Sequence, residues 1–435
     1  MDTIFALSSG LLPSGVAVIR LSGPHVVNIV KTLCGCLPKA RFMHYGNLIA
    51  RDGSFLDSAL TVFFPGPHSF TGEDCAEFHL HGGKAVVNRF LDELSTFPEC
   101  RIAEAGEFSR RAFAEGKIDL IQAEALADLI EAETESQRRL AVIGASGHLT
   151  KLYRNWRDEL ITARALIEAE IDFSDEDDIP DCISDEIWKN IKKLSYSLCE
   201  HICAGERANI LRDGLKVVIV GAPNSGKSSI INRLAGRPVA IVTQEAGTTR
   251  DALEIRLILG GLPVFLTDTA GFRKTESKIE QLGIETAKQH VIDADLVILV
   301  DDMNNPQEIH LPKTSAEVWR VGNKLDLYQG DKERWSIQFS ALSGLNFDHL
   351  IKEIESFCLR RIAEIGNVVS AQKRQLQLLK ETVKEIDTAI NHVSLDLSLR
   401  AEHLRRASDT LGRITGDIDV EDLLDVIFSQ FCVGK

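Results

Sequence analysis

The sequence predicts a multidomain chain, α/β plus all-α. An N-terminal α+β domain comes first, and a helical domain split in sequence carries an inserted α/β domain. Three observations predict this. The chain has 435 residues, which at about 150 residues per domain makes roughly three domains. Its texture changes near Leu120, near Leu215 and again after residue 370. Its composition, 44% apolar and 26% charged, is that of an ordinary globular protein. That excludes global disorder, collagen-like and low-complexity architecture.

The elements follow in order. Between residues 1 and 118, short β-branched and aromatic runs alternate with Gly and Pro. Gly15-Val-Ala-Val-Ile-Arg20, Ala59-Leu-Thr-Val-Phe-Phe64 and Ala76-Glu-Phe-His-Leu80 read as strands, with helices near 24–34 and 84–96. From Leu120, IQAEALADLIEAETESQRRLAVIGA and LYRNWRDELITARALIEAEIDF carry apolar residues at i, i+3, i+4 and i+7, the pattern of long helices. The acidic run SDEDDIPD at 174–181 reads as a solvated loop, and a helix is expected through 184–210. From Leu215 to about residue 360 strand and helix patterns alternate. After 370 helical texture returns in QKRQLQLLKETVKEIDTAINHV and LRAEHLRRASDTLGRI.

The net charge is −15, from 49 basic and 64 acidic residues, so the whole surface is not a nucleic-acid-binding field. A local basic face stays open. Arg360, Arg361, Lys373, Arg374, Arg400, Arg405, Arg406 and Arg413 cluster late in the chain, either as an RNA or partner surface or as solvated helix faces. The nine cysteines are irregularly spread, without paired CxxC sets, which fits reduced thiols in a cytosol. MDTIFALSSG lacks a basic n-region, and no apolar run approaches the ~18 residues of a membrane span. A cytoplasmic location without membrane contact is expected.

Gly221-Ala-Pro-Asn-Ser-Gly226-Lys227-Ser228 fits GxxxxGK[ST] between a strand, Val217–Gly221, and the helical run SSIINRLAG. That context makes a phosphate-binding loop: backbone N–H groups cradle phosphate oxygens, Lys227 reaches the β- and γ-phosphates, and Ser228 supplies a hydroxyl to Mg²⁺. Asp268-Thr269-Ala270-Gly271 follows the strand VFLT. It places a carboxylate toward Mg²⁺ and a glycine amide toward the γ-phosphate. Asn323-Lys324-Leu325-Asp326 follows Glu317-Val-Trp-Arg-Val321. A carboxylate there accepts from N1 and N2 of guanine, a donor pair that adenine lacks, so GTP is selected. Ser340-Ala341 follows a short strand, Ile337–Phe339, and would support the base. Thr248 and Thr249 in AGTTRD lie where a first switch senses Mg²⁺ and γ-phosphate. Where many GTPases place a water-orienting Gln after DxxG, this chain has Phe272. Glu280 in KIEQLGIE is the nearest replacement; its other reading is an exposed glutamate at a helix start. His79 and His81 alternate on a strand without a third ligand at sensible spacing, so packing fits them better than a metal.

With these motifs in hand, the chain resembles, over its whole length, the bacterial tRNA modification GTPase family MnmE (TrmE). The residues that carry the resemblance are DTI at 2–4, GVAVIRLSG at 15–23, SFTGEDCAEFHLHGG at 69–83 and AGEFSRRAFAEGKIDLIQAEALADLI at 105–130. PNSGKSS, AGTTRD and DTAG follow, and then the terminal Phe431-Cys-Val-Gly-Lys435. The resemblance implies an N-terminal tetrahydrofolate-binding and dimerisation domain, 1–118, and helical domain parts at 119–212 and 366–435. Between them it implies an inserted Ras-like P-loop G domain, 213–365. It implies a homodimer that joins the FAD-dependent protein MnmG (GidA) in a heterotetramer. That complex adds a carboxymethylaminomethyl or aminomethyl group to C5 of the wobble uridine of certain tRNAs. The one-carbon unit comes from 5-formyl- or methylene-tetrahydrofolate, and K⁺-dependent G-domain dimerisation activates hydrolysis.

Residue by residue, the resemblance implies GTP contacts from Asn224, Ser225, Gly226, Lys227, Ser228 and Ser229. It adds Thr243, Gln244, Glu245, Ala246, Gly247, Thr248 and Thr249, then Asp268, Thr269, Ala270 and Gly271, and finally Asn323, Lys324, Asp326, Ser340 and Ala341. Ser228 and Thr249 would ligate Mg²⁺. Asn224, with backbone carbonyls of Thr243, Glu245 and Thr248, would ligate K⁺, an ion placed to neutralise developing charge. Glu280 aligns with a water-orienting glutamate. Arg20, Glu77, Lys117 and Lys435 align with folate contacts; cations suit the glutamate carboxylates of a folate, and Glu77 suits pterin N–H donors. Cys432 has three open readings: a nucleophile toward uridine C6, a positioning residue for modification, or a packed thiol. Two departures stand out, SSGLLPSG at 8–15 beside the folate edge and the short segment 301–315. The rival reading is a GTP-switched ribosome-assembly or RNA-binding factor, which would share the GTPase motifs but has no reason to end in FCVGK.

Overall fold

The computed structural model describes residues 2–172, 182–236, 240–241, 254–268, 285, 287–328, 334–365, 370–392, 396–418, 421–429, 431 and 434. They form two compact units. One comprises residues 1–127, 144–195 and 377–435, the other 128–143 and 196–376.

The first unit holds a six-stranded sheet in the order β3-β4-β5-β2-β1-β6. Its strands are β1 (Thr3–Leu7), β2 (Val16–Ser22), β3 (His44–Ile49), β4 (Phe55–Phe64), β5 (Cys75–His81) and β6 (Cys100–Ile102). Only the β1–β6 pair is parallel; the remaining neighbours are antiparallel. Alternation along β2 and β5 buries Ala17, Ile19, Leu21, Phe78 and Leu80, as a one-faced sheet requires. Helices α1 (Val26–Cys34) and α2 (Lys84–Ser95) cover that face through Ile29, Val30, Val87 and Phe90, and the Phe78 and Phe90 rings lie 5.0 Å apart. α3 (Glu107–Ala114) seats Phe108 against Ile4 and Ala6.

The apolar texture of 120–145 is not one helix. α4 (Leu120–Glu131) and α5 (Glu135–Ala145) are separated by a turn. Gln137 Oε1 there accepts from the Glu133 and Thr134 N–H groups, at 3.0 and 3.1 Å, a side-chain cap that competes with continued helix. α6 (His148–Asp172) and α7 (Cys182–Asp213) follow. Beyond residue 370 come α10 (Lys373–Asn391), α11 (Leu397–Thr415) and α12 (Glu421–Ser429), with α9 (Phe347–Ile365) before them. α6 buries Tyr153, Leu160 and Ile167, and α11, which packs on it, buries Leu404, Leu411 and Ala407. The sevenfold recurrence is the seam of two closely aligned helices.

The second unit holds a seven-stranded sheet in the order β13-β12-β11-β7-β10-β9-β8. Its strands are β7 (Leu215–Gly221), β8 (Ala240–Ile241), β9 (Glu254–Leu259), β10 (Leu262–Asp268), β11 (Leu296–Asp302), β12 (Glu317–Asn323) and β13 (Ile337–Gln338). β7, β10, β11, β12 and β13 run parallel; β9 is antiparallel to β10 and β8 to β9. β7 and β11 are apolar on both faces, as parallel strands covered on both sides must be. α8 (Lys227–Ala235) starts directly after the β7 turn. The carboxyl ends of β7, β10 and β12 carry the three nucleotide motifs, where ligands of open α/β sheets bind.

Candidate functional site

Gly221 ends β7 where a Cβ would lie 2.6 Å from both Ser225 Oγ and the Val300 carbonyl oxygen. The loop then turns through Asn224 at φ +64° and Gly226 at φ +98°. A Cβ on Gly226 would meet Asn323 Nδ2 at 2.0 Å. Such close backbone approach and positive φ demand glycine. Lys227 Nζ donates to the Gly221 and Ala222 carbonyls at 2.9 and 3.1 Å. It therefore hangs over the loop whose amides and helix start favour an anion. Ser225 is fully buried, and its Oγ has no hydrogen-bond partner among the described residues.

Asn323 does not reach for the base. Its Nδ2 donates to the Ser225 carbonyl at 2.8 Å, and its Oδ1 accepts from the Lys324 and Ala341 N–H groups at 2.8 and 2.9 Å. It ties the loop after β7 to the loop after β13, while Asp326 stands exposed on the rim. Lys324, at φ +68°, places Nζ 2.6 Å from Asp302 Oδ2. Partial burial opposes the Asp302 charge, but the Lys324 ammonium and the Asn304 amide outweigh it and hold this carboxyl below its ordinary range. A cavity of about 450 Å³ opens between these groups, lined by Asn224, Lys227, Ser228, Asp326, Ser340 and the apolar Leu327 and Leu342. That volume suits a nucleotide. The cradle of Gly221 and Gly226, the lysine and the hydroxyl of Ser228 form a donor set that fits a Mg²⁺-bound triphosphate.

Sequence reasoning missed Arg233. From the last turn of α8, its guanidinium donates to the Ala341 and Leu342 carbonyls at 2.9 and 3.0 Å and covers the Phe347 ring at 5.6 Å. It fixes the base-side loop to the phosphate-side helix. The only available sign was a cation at a helix end. Thr243, Gln244, Glu245, Ala246, Gly247, Thr248, Thr249, Thr269, Ala270, Gly271, Phe272 and Glu280 lie outside the described residues, and Asp268 is described in its backbone alone.

In the first unit, Arg20 and Glu77 oppose each other across β2 and β5, joined at 2.9–3.0 Å. Phe70 and Phe108 flank the Arg20 guanidinium at 5.5 and 5.8 Å. Lys117 is exposed, with Cε 3.0 Å from where a Gly72 Cβ would sit. A cation and a carboxylate thus share one half-buried patch on the two central strands, beside two aromatic rings. Glu77 Oε1 is engaged by Arg20, and Oε2 lies 3.6 Å from His79 Nε2. The chain end comes to the same sheet. Ser8 Oγ donates to the Gly434 carbonyl at 2.9 Å, and a Gly434 Cβ would fall 2.2 Å from the Leu7 oxygen. Cys432 and Lys435 themselves lie outside the described residues.

The same unit holds an ion network that the sequence did not show. Arg101 forks onto Glu107 at 2.8 and 2.6 Å, and Arg111 bridges Glu107, Glu73 and Asp2 at 2.9–3.2 Å. Burial works against the Glu107 charge, but Arg101, the Glu104 amide and Arg111 together hold its pKa down. His81 pairs with Asp57 at 2.8 Å, and among the described residues no group of three His, Cys, Asp or Glu could hold a metal. Several of the late basic residues are paired with nearby acids. Arg405 and Arg406 pair with Glu402 at 2.8 and 3.1 Å, and Lys373 pairs with Asp213 at 2.7 Å. Arg400 stacks on Trp188 at 3.6 Å. No helix among the described residues is long and apolar enough to cross a membrane.

Two family models match the chain: "GTP-binding protein TrmE N-terminus" over residues 3–117 and "MnmE helical domain" over residues 120–432. The chain is 82% identical over 435 residues to the tRNA modification GTPase MnmE of Bartonella bacilliformis, covering all of both chains. It is 54% identical to the protein of that name from Brucella anthropi, covering all of this chain and 98% of the relative. Among solved structures, a point variant of Aquifex aeolicus Era bound to GDP and AlF4⁻ is 24% identical over 39% of this chain and 66% of that one, with a TM-score of 0.26. On the family models and the full-length identities, the chain belongs to the MnmE (TrmE) family of tRNA modification GTPases.

Proposed function

We propose that the chain is the GTP-hydrolysing subunit of a tRNA-modifying complex that adds a carboxymethylaminomethyl or aminomethyl group to C5 of the wobble uridine. The observation that carries the GTPase reading is the Asn323 tie, which holds phosphate loop and base loop around one cavity with Asp326 on its rim. In this reading Lys227 swings from the loop carbonyls to the phosphates, Ser228 and Thr249 give oxygens to Mg²⁺, and Glu280 orients water in place of the Gln that Phe272 displaces. Asn224 and the carbonyls of Thr243, Glu245 and Thr248 would hold K⁺, which stabilises charge as two G domains meet. The proposed domain limits are 1–118, 119–212, 213–365 and 366–435.

Equal rates in KCl and NaCl would end the potassium reading. The expected result is hydrolysis about 10²-fold faster in K⁺, with the difference abolished by Asn224→Ala, the size of effect seen when one preorganised charge partner is removed.

The N-terminal unit is proposed to bind a tetrahydrofolate at the Arg20–Glu77 pair and to form the homodimer. Support for the dimer is the outward face of the β3–β4 hairpin, where Tyr45, Ile49, Phe55 and Leu60 are exposed at the sheet margin, an apolar patch of the kind that marks association. The complex with the FAD-dependent MnmG, the tRNA substrate and a cytoplasmic location belong to the same proposal. Arg20→Ala removes a charged donor and strands Glu77, so affinity for 5-formyltetrahydrofolate should fall about 10- to 100-fold. Isothermal titration checks this, and an unchanged Kd removes Arg20 from the site.

A further inference from the structure

The end of α1 carries two thiols that neither the proposed GTP site nor the proposed folate site uses. Cys34 is half-buried and Cys36 is exposed. Between them Gly35 takes φ +73°, the left-handed cap that turns the chain back over a helix end. Cys34 Sγ lies 3.6 Å from Thr61 Oγ1, and Cys36 Sγ lies 3.8 Å from His44 Nε2. Thr61 and His44 are opposite one another in the β3–β4 ladder, where facing Cα atoms are about 4.5–5.5 Å apart. Both sulfurs therefore rest on one cross-strand pair. Gly46 makes room for the imidazole, since a Cβ there would lie 3.0 Å from His44 Nε2.

We propose that Cys34 and Cys36 form an oxidisable dithiol, with His44 as the base for Cys36 and hydrogen peroxide as the oxidant. Cys36 is the attacking thiol because it is exposed and has the imidazole nitrogen beside it. Its proton passes to His44. The thiolate attacks one peroxide oxygen, the O–O bond breaks, and the departing hydroxide takes the proton from His44 to leave as water. Cys36 is then a sulfenic acid. The Cys34 sulfur attacks the Cys36 sulfur, the S–O bond breaks, and the released hydroxide takes the Cys34 proton as a second water. Two thiols lose two electrons to become one disulfide, and one peroxide is reduced to two waters. Burial raises the Cys34 thiol above its ordinary range, against the opposing hydrogen bond to Thr61, which suits the partner that waits rather than the one that attacks.

The same chain contains its own comparison. Cys75, Cys100 and Cys358 are buried, whereas Cys199 and Cys203 are exposed one helical turn apart on α7. Reduced full-length protein treated with one equivalent of hydrogen peroxide should yield, on mass-spectrometric peptide mapping without reductant, a peptide holding Cys34 and Cys36 that has lost two hydrogens. This should precede any change at Cys199 or Cys203. Cys34→Ser should stop at a sulfenic acid on Cys36 that dimedone traps, and Cys36→Ser should leave Cys34 unreacted. His44→Ala, and His44→Asn as a second variant, should slow the reaction about 10²-fold. Earlier oxidation of Cys199 or Cys203, dimedone capture on Cys36 in the wild type without disulfide, or a wild-type rate in both His44 variants would each overturn the proposal.

Discussion

Asp326→Asn is expected to weaken GTP binding about 10³-fold and to create affinity for xanthosine triphosphate. Asp326 stands exposed on the cavity rim between Leu327 and the loop that Asn323 secures. Its carboxylate can accept from N1–H and the N2 amino group of guanine together. Hydrogen bonds to a charged group contribute about 1.5–3 kcal/mol each, and losing one while setting an amide N–H against a donor accounts for the three decades. Xanthine bears an oxygen at C2, to which the new amide can donate. Among the described residues the loop's own ties run through Asn323 and Arg233, so the fold should be unaffected. Equilibrium titration with both nucleotides decides the matter. An unchanged GTP affinity would remove Asp326 from base recognition.

Local chemistry made β2, β4 and β5 of the first sheet and β7, β10, β12 and β13 of the second legible, because β2 and β5 alternate and β7 is apolar apart from Lys216. The phosphate loop was legible for the same reason, since glycine at 221 and 226 answers a steric demand within a few residues. What could not be read was everything set by register or by long return of the chain. Arg20 and Glu77 are 57 residues apart, and only the β2–β5 ladder makes them partners. Nothing local distinguishes Arg233 from a solvated helix-end cation until the loop at 341–342 folds over it. Asn323, legible as part of a nucleotide motif, turned out to hold two loops together. Periodicity also ran α4 and α5 into one, since a turn closed by Gln137 leaves the apolar spacing almost intact.

Gly226→Ala should abolish GTP binding and destabilise the nucleotide-binding unit by about 3–5 kcal/mol, through two separable costs. The first is conformational: at φ +98° a side chain costs roughly 1–2 kcal/mol. The second is displacement of Asn323, whose Nδ2 lies 2.0 Å from the new Cβ and whose Cγ lies 3.3 Å from it. When Asn323 moves, the Ser225 carbonyl, the Lys324 N–H and the Ala341 N–H lose their shared partner, at about 1 kcal/mol each. Asn323→Ala loses those same bonds but has nothing left to clash. The double variant should therefore be less unstable than the two single losses added together, by about 1 kcal/mol or more. Denaturant unfolding of the four proteins measures that coupling. Strict additivity would mean that the Gly226 requirement is conformational alone and that Asn323 is not what the glycine accommodates.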